Sequence, residues 1–498
     1  MKRGVPTPCI VLSLLAQLAL LAGIPAHAQQ FDENEFSRFQ SAPLACQRDG
    51  QACYTGHSCC PGLMCQFEGD RAHCVGVGPP PPPTINMLPS PSDGAMDLPY
   101  GFTFTANNGA LPLTWSETGT LPPGLRLAAD GLLSGSPSTS GSFPITVEVK
   151  DADGRAATPE NFLIQVFLHG FSPTGKMTAV RTSHTATLLN TGKVLVAGGY
   201  TSAGGLQSAE LFDPATRTFS STGSMTIGRF QQTATLLPSG KVLVAGGGTS
   251  TAELFNPATG LFSQTHEMDT SRSFQTATLL SNGKVLVAGG SGSEGNALAT
   301  AELFDLLTET FTPTGNMSAA RFGHTATLLA SGKVLITGGT GSQGGALASA
   351  EIFDPSRGTF TRIASMNSAC YAHTATLLSA SGTVLLTGGF DAGSNILASA
   401  EIFDPSTMHF TAVATMTASR AFHTATLLKD GSVLIAGGVG DGTRETITLT
   451  ELFNPPNRTF SPTGSLTVAR SSHAATLLSS GLVLVTGGDS DGTAETYH

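Results

Sequence analysis

"FSPTGKMTAVRTSHTATLLNTGKVLVAGG" occupies residues 171–199. It contains an arginine and a histidine three apart, two apolar runs and a double glycine. Short apolar runs bounded by turn residues read as β-strands. The same text returns along the chain. Double glycines begin at 198, 246, 289, 338, 388, 437 and 487, at intervals of 48, 43, 49, 50, 49 and 50 residues. A period of that length points to propeller blades or a solenoid. Each unit reads R-x-x-H/Q, then T/A-A-T-L-L, then G-x-V-L-V/I/L-A/T-G-G, then E-L/I-F-D/N, then a phenylalanine. That supplies four β-runs, the number in a blade. The first two, such as HTATLL and KVLVAGG, are almost uninterruptedly apolar and are expected to be buried on both faces.

The ends of the array decide between a ring and an open stack. The last unit supplies HAATLL, LVLVTGG and TAETYH, without a fourth run. The missing text stands before the first unit, where FSPTGKM (171–177) matches FSPTGSL (460–466). Seven copies of every run exist only if residues 171–177 complete the unit that ends at His498. An open solenoid does not need this complementation, so the expectation is an all-β fold with a closed, seven-bladed β-propeller over residues 169–498. Joining both ends of the array in one sheet also removes exposed edges.

With its double glycine after the second strand and an aromatic residue in the fourth, the array resembles kelch-repeat propellers. Phe219, Phe262, Phe311, Phe360, Phe410 and Phe460 stand where kelch units usually carry tryptophan.

The arginine position holds Arg181, Arg229, Arg272, Arg321, Cys370, Arg420 and Arg470. The histidine position holds His184, Gln232, Gln275, His324, His373, His423 and His473, and a third position holds Glu210, Glu253, Glu302, Glu351, Glu401, Glu451 and Glu495. Catalysis needs one site with differentiated groups, whereas these types recur around the whole ring. They are read as scaffold, with bidentate pairing of arginine and glutamate expected. Glutamine in place of histidine keeps hydrogen bonding and loses titration, as a structural role tolerates. The double glycines are bends rather than a phosphate loop, since no helix follows them.

Ahead of the repeats the chain changes character several times. Residues 1–28 have a basic start (Lys2, Arg3), an apolar stretch from Ile10 to Ile24 and Ala26-His27-Ala28, the pattern of a cleaved secretory signal. The apolar stretch is short for a membrane anchor. Residues 29–45 read as a linker. Six of the eight cysteines fall in residues 46–74, spaced C-x6-C-x5-C-C-x4-C-x8-C. So short a stretch needs bridges for stability, and a zinc cluster is the competing reading in a chain expected to be exported. The spacing, with Cys59-Cys60 followed by Pro61-Gly62-Leu63, resembles the knottins. That resemblance implies pairing Cys46–Cys60, Cys53–Cys65 and Cys59–Cys74, although six cysteines allow fifteen connectivities. Residues 75–83 contain five consecutive prolines, a stiff spacer.

Residues 84–168 alternate short β-runs with turn clusters, as a small β-sandwich does. Trp115, LPPGL (121–125), GLLSGSP (131–137) and ITVEVKD (145–151) resemble the putative-Ig or cadherin-like modules of surface proteins. Asp151 and Asp153 are a weak candidate pair for calcium, with fewer carboxylates than its six to eight oxygens ask for.

The formal charge is −10, and loss of Lys2 and Arg3 with the signal takes it to −12. Nucleic acid, which needs clustered basic residues, is excluded as a partner. Within the repeats the turn between the first and second runs varies by one residue only, whereas the loop between the second and third runs varies from four to eleven residues. Binding residues commonly sit on such loops over a rigid scaffold. The candidates there are Tyr200, Glu294, Asn296, Phe390, Asp391, Asn395, Asp441, Arg444, Asp489 and Asp491. The expectation is a secreted, extracellular, periplasmic or cell-surface protein that binds a protein, peptide or glycan without catalysis or cofactor. The alternative resembles galactose oxidase, a copper-radical alcohol oxidase with a kelch propeller. That resemblance implies tyrosines, a histidine pair and a cysteine crosslinked to tyrosine. Cys370 and Tyr371 are adjacent, but only Tyr200, Tyr371 and Tyr497 lie in the repeats, so copper is not expected. Cys370, without a partner in sequence, is expected either to be buried or to pair between chains.

Overall fold

A computed structural model describes residues 63–68, 71–76, 80–91, 94–96, 98–440 and 444–498. The chain divides into two units, Met1–Pro81 and Pro82–His498. In the first, Leu63–Glu68 pairs antiparallel with Arg71–Gly76, setting Cys65 opposite Cys74 in the register. The signal segment lies outside the described residues, as does at least one cysteine of each expected disulfide. Among the described residues the structure is all β, and no helix is long and apolar enough to cross a membrane.

The sandwich has one sheet of Gly94–Ala95, Glu160–Phe167, Gly141–Lys150 and Thr114–Gly119, in that spatial order. A three-stranded sheet of Tyr100–Thr103, Leu132–Gly135 and Leu125–Leu127 accompanies it. In Gly141–Lys150 the apolar residues alternate, so Ile145, Val147 and Val149 all turn into the core. Phe104 packs between Trp115 and Phe162, at centroid distances of 6.0 and 5.1 Å. The calcium candidates are otherwise engaged. Arg155 bonds Asp151 at 2.7 Å and Asp153 at 2.9 Å, so a guanidinium already lies between the two carboxylates.

From Phe171 to His498 there are seven four-stranded antiparallel sheets. They are numbered here as units 1 to 7, from the sheet whose innermost strand is Thr185–Leu188 to the one whose innermost strand is Ala474–Leu477. Each innermost strand lies beside that of the next unit, and unit 7 lies beside unit 1, so the array is a closed circle. The second strands, such as Val194–Ala197 and Val334–Thr337, are buried throughout. The first strands differ from expectation: Thr185–Leu188 is only half-buried along its length. As the innermost element it borders a central channel, so it lacks a neighbour on one side.

The cores lie between units rather than within them. Leu195 and Ala197 of unit 1, for example, pack with Val242, Val244 and Phe255 of unit 2. Each fully buried aliphatic or aromatic side chain contributes about 1.5–3 kcal/mol, so neighbouring sheets depend on each other. In unit 7 the outermost strand is Phe171–Pro173, which pairs antiparallel with Ala494–Tyr497. Phe171 and Tyr497 lie with ring centroids 5.0 Å apart, where the other units place two phenylalanines at 4.7–5.0 Å.

Candidate functional site

The R-x-x-H/Q segments carry the chain across one end of the channel, and their geometry is repeated almost unchanged. Nη1 of Arg181 donates to the carbonyls of Gly198 and Ser208 at 2.6 and 3.1 Å, and Nη2 donates to Glu210 Oε1 at 2.8 Å. All six arginines form the corresponding ion pair within their own unit, at 2.6–2.9 Å, and all six are fully buried. The pairing is not bidentate as expected. Nη1 is committed to backbone carbonyls, and the second glutamate oxygen accepts from a backbone N–H, as Glu210 Oε2 does from Thr178 at 2.8 Å.

The histidines and glutamines join each unit to the one before it. His324 Nε2 meets Thr276 Oγ1 at 3.1 Å, His423 Nε2 meets Thr387 Oγ1 at 3.0 Å, and His184 of unit 1 meets Thr486 of unit 7 at 2.9 Å. Gln232 and Gln275 make the equivalent link by donating to the carbonyls of Ala197 and Ala245, both at 2.8 Å. Burial, with the nearby arginines second, pushes His184 and His473 down to about 3; burial, then Arg321, pushes His373 to about 4. These rings are neutral at physiological pH.

Two residues separate arginine from histidine, and the second of them is left-handed in every unit, with φ between +51° and +61°. Its N–H donates to the carbonyl of the same position one unit earlier. The bonds run from Ser183 to Ser472, Gln231 to Ser183, Phe274 to Gln231, Gly323 to Phe274, Ala372 to Gly323, Phe422 to Ala372 and Ser472 to Phe422. At 2.8–3.2 Å, they form an unbroken circle of seven hydrogen bonds around the channel.

This girdle lines a cavity of about 380 Å³ at the channel mouth, together with the histidines and glutamines. No Asp, Glu, Lys or Arg contributes to the lining. The side chains divide by side. Units 3 to 6 contribute Phe274, Phe322, Tyr371 and Phe422, whereas units 7, 1 and 2 contribute Ser472, Ser183 and Gln231. The aromatic side is packed from behind: Phe390 lies 5.2 Å from Tyr371 and 5.7 Å from Phe422, centroid to centroid.

The nine described loop candidates do not line this mouth. Tyr200 is exposed and packs on Phe230 at 5.0 Å. Phe390 is buried. Asp391 accepts from Asn395 at 2.9 Å, and Arg444 donates to the Ser394 carbonyl at 2.9 Å, linking the loops of units 5 and 6. Asp489 accepts from Thr493, while Glu294, Asn296 and Asp491 are exposed. Asp441 lies outside the described residues. The sequence expectation does not include the mouth residues, because the segment that holds them has the same length in every unit. Their signal was the change of chemistry, aromatic or hydroxyl, between each arginine and histidine.

Residues 82–167 match the family described as Putative Ig domain, and residues 274–318 and 321–367 match the Kelch motif. The chain is thus an all-β protein that joins an Ig-like module to kelch repeats. Comparison with curated protein sequences finds no match. Among solved structures it is similar to "Novel fungal alcohol oxidase with catalytic diversity among the AA5 family, in complex with copper", with a TM-score of 0.55 and 20% identity, over 66% of this chain and 76% of that one.

That likeness corrects two expectations. The solved protein with this fold is a catalyst, which favours the oxidase alternative over a non-catalytic binding protein. It is also a copper complex, against the expectation that copper has no part. At this identity the likeness itself establishes the fold. The described side chains do not fit a copper centre of imidazoles and phenolates. No three of His, Cys, Asp or Glu converge among the described residues. The channel histidines turn Nε2 to neighbouring threonines. Tyr497 is buried and bonded to Thr463, remote in sequence and packing from Tyr371. Cys370, adjacent to Tyr371, packs instead with Met366 and Phe403, and burial followed by Glu401 pushes its thiol up to about 12. It is the buried, inert thiol of the two alternatives.

Proposed function

We propose that the channel mouth is the working site, and that the chain acts there on an uncharged, hydroxyl-bearing small molecule as an enzyme of the alcohol-oxidising kind. The observation that carries this reading is a mouth of neutral groups divided into an aromatic side and a polar side of hydroxyls and an amide. A cavity of about 380 Å³ suits a small ligand. A charged ligand would lose its hydration without finding a counter-charge. A sugar or alcohol can lay its C–H face on Phe274, Phe322, Tyr371 and Phe422 and hydrogen-bond Ser183, Gln231 and Ser472. The similarity to an alcohol oxidase supports the same substrate class, and the secretory-signal pattern in the sequence of residues 1–28 supports action outside the cytoplasm.

The test is aldehyde formation by the purified full-length chain from a panel of primary alcohols and neutral sugars in air-saturated buffer, with and without added copper, dioxygen taking the two electrons and two protons of each alcohol as hydrogen peroxide. Product is expected, with Tyr371→Ala and Phe422→Ala each raising KM about tenfold, for the loss of about 1.4 kcal/mol of contact. Absence of product from every alcohol in both conditions overturns the reading.

A further inference from the structure

In six units one buried guanidinium fills the same cradle, and in unit 5 the cradle stands without it. The cradle consists of the first glycine's carbonyl, a second carbonyl two residues before the glutamate, and the glutamate's Oε1. In unit 4 these are Gly338 O, Ser349 O and Glu351, bonded by Arg321 at 2.7, 3.0 and 2.9 Å. Their counterparts in unit 5 are Gly388 O, Ser399 O and Glu401, facing Cys370. The backbone frame is retained. Gly388 N donates to Ser399 O at 3.0 Å as Gly338 N does to Ser349 O at 3.3 Å, and Cys370 N donates to Leu347 O as Arg420 N does to Leu397 O.

The side chains around this frame record the difference. Glu401 accepts from Asn367 N, Asn367 Nδ2 and Ser368 N, all of them neutral donors, and forms no ion pair among the described residues. A buried carboxylate without a counter-charge is costly. Glu401 is 6% exposed where its six counterparts are at most 2%, and Leu386 is 4% exposed where Val196, Val244, Val287, Ile336, Ile435 and Val485 are all 0%. Cysteine ends at Sγ, leaving out the last methylene and the guanidinium of arginine. Those atoms correspond in size and donors to methylguanidinium.

We infer that the cradle between Cys370 and Glu401 is a binding site for a small planar cation of the guanidinium or amidinium class. The ligand donates to Gly388 O, Ser399 O and Glu401 Oε1, as the arginine does in the other six units. The site is separate from the channel mouth, so its test does not depend on the proposed enzyme activity.

The probe is methylguanidinium at millimolar concentration, added to the full-length chain, with sodium chloride matching ionic strength. Saturating probe should raise Tm by about 2 °C at tenfold over its dissociation constant. Cys370→Arg should raise Tm without probe and abolish the response to it. Glu401→Gln, which removes the charge and keeps the side chain's size and shape, should also abolish the response. A wild-type response equal to that in sodium chloride overturns the proposal. So does an undiminished response in Glu401→Gln, whether or not Cys370→Arg folds.

Discussion

Arg321 makes five hydrogen bonds from one fully buried side chain, to Ala319 O, Gly338 O, Ser349 O, Ser349 Oγ and Glu351. The pairing energy is set against the desolvation of both ions, so the pair's net contribution is modest while its half-removal is severe. Arg321→Met should therefore destabilise the ring by about 3–5 kcal/mol, since Glu351 is left charged and unpaired. Denaturation followed by circular dichroism reads this change. Fluorescence would report elsewhere, because the only tryptophan, Trp115, is in the sandwich. A loss under 1 kcal/mol would show that the ion pair is not part of the framework. The recurrence of arginine, histidine and glutamate made this framework legible in the sequence. Direction was not legible: text alone could not reveal that Nη1 prefers two carbonyls, or that histidine reaches into the preceding unit.

At the scale of the strand and its turns, the double glycine is set by close approach. Gly338 has φ +63°, and a Cβ there would lie 2.5 Å from the Cys370 carbonyl and 2.7 Å from His373 Cε1. Gly283 has φ +82° with nothing within 4 Å. Gly283→Ala should cost about 1–2 kcal/mol, the left-handed conformation alone. Gly338→Ala should add about 1–3 kcal/mol of overpacking to a similar conformational term. Equal costs, measured by denaturant midpoint, would remove the role assigned to inter-unit contact. Strand identity and the pairing of Phe171–Pro173 with Ala494–Tyr497 could be anticipated from FSPTGKM and FSPTGSL. The half-burial of Thr185–Leu188 could not, because an apolar run does not disclose which of its sides borders a channel. The mouth was hidden for a related reason. Thr182-Ser183, Phe230-Gln231 and Ser273-Phe274 differ from one another at both positions, and only the folded ring brings such pairs together.

Over the whole molecule, the five channel histidines couple stability to pH. Their folded-state values lie below the ordinary 6.5, at about 3 for His184 and His473 and about 4 for His373, with burial the leading cause. The unfolded chain thus binds protons first. The histidines' contribution is complete above pH 6.5 and is lost as pH falls through 6.5 toward 3. Tm should be level between pH 7 and 8 and fall progressively between 6.5 and 4. His324→Gln, which copies units 2 and 3, should lower the proton slope of unfolding by about one in that interval. An unchanged slope would mean that His324 is not held neutral in the folded ring.

The seven backbone bonds at the mouth all point the same way around the circle. Their dipoles consequently chase one another and sum to almost nothing along the axis, unlike a helix end, which offers an unspent field to an anion. Every N–H on that hoop is already engaged with its neighbour's oxygen. A visiting molecule must then draw its hydrogen-bond donors from side chains, mounted on a rim that need not change when they do. Exchanging Ser472 or Ser183 for an aromatic residue is accordingly a change of taste without a change of vessel.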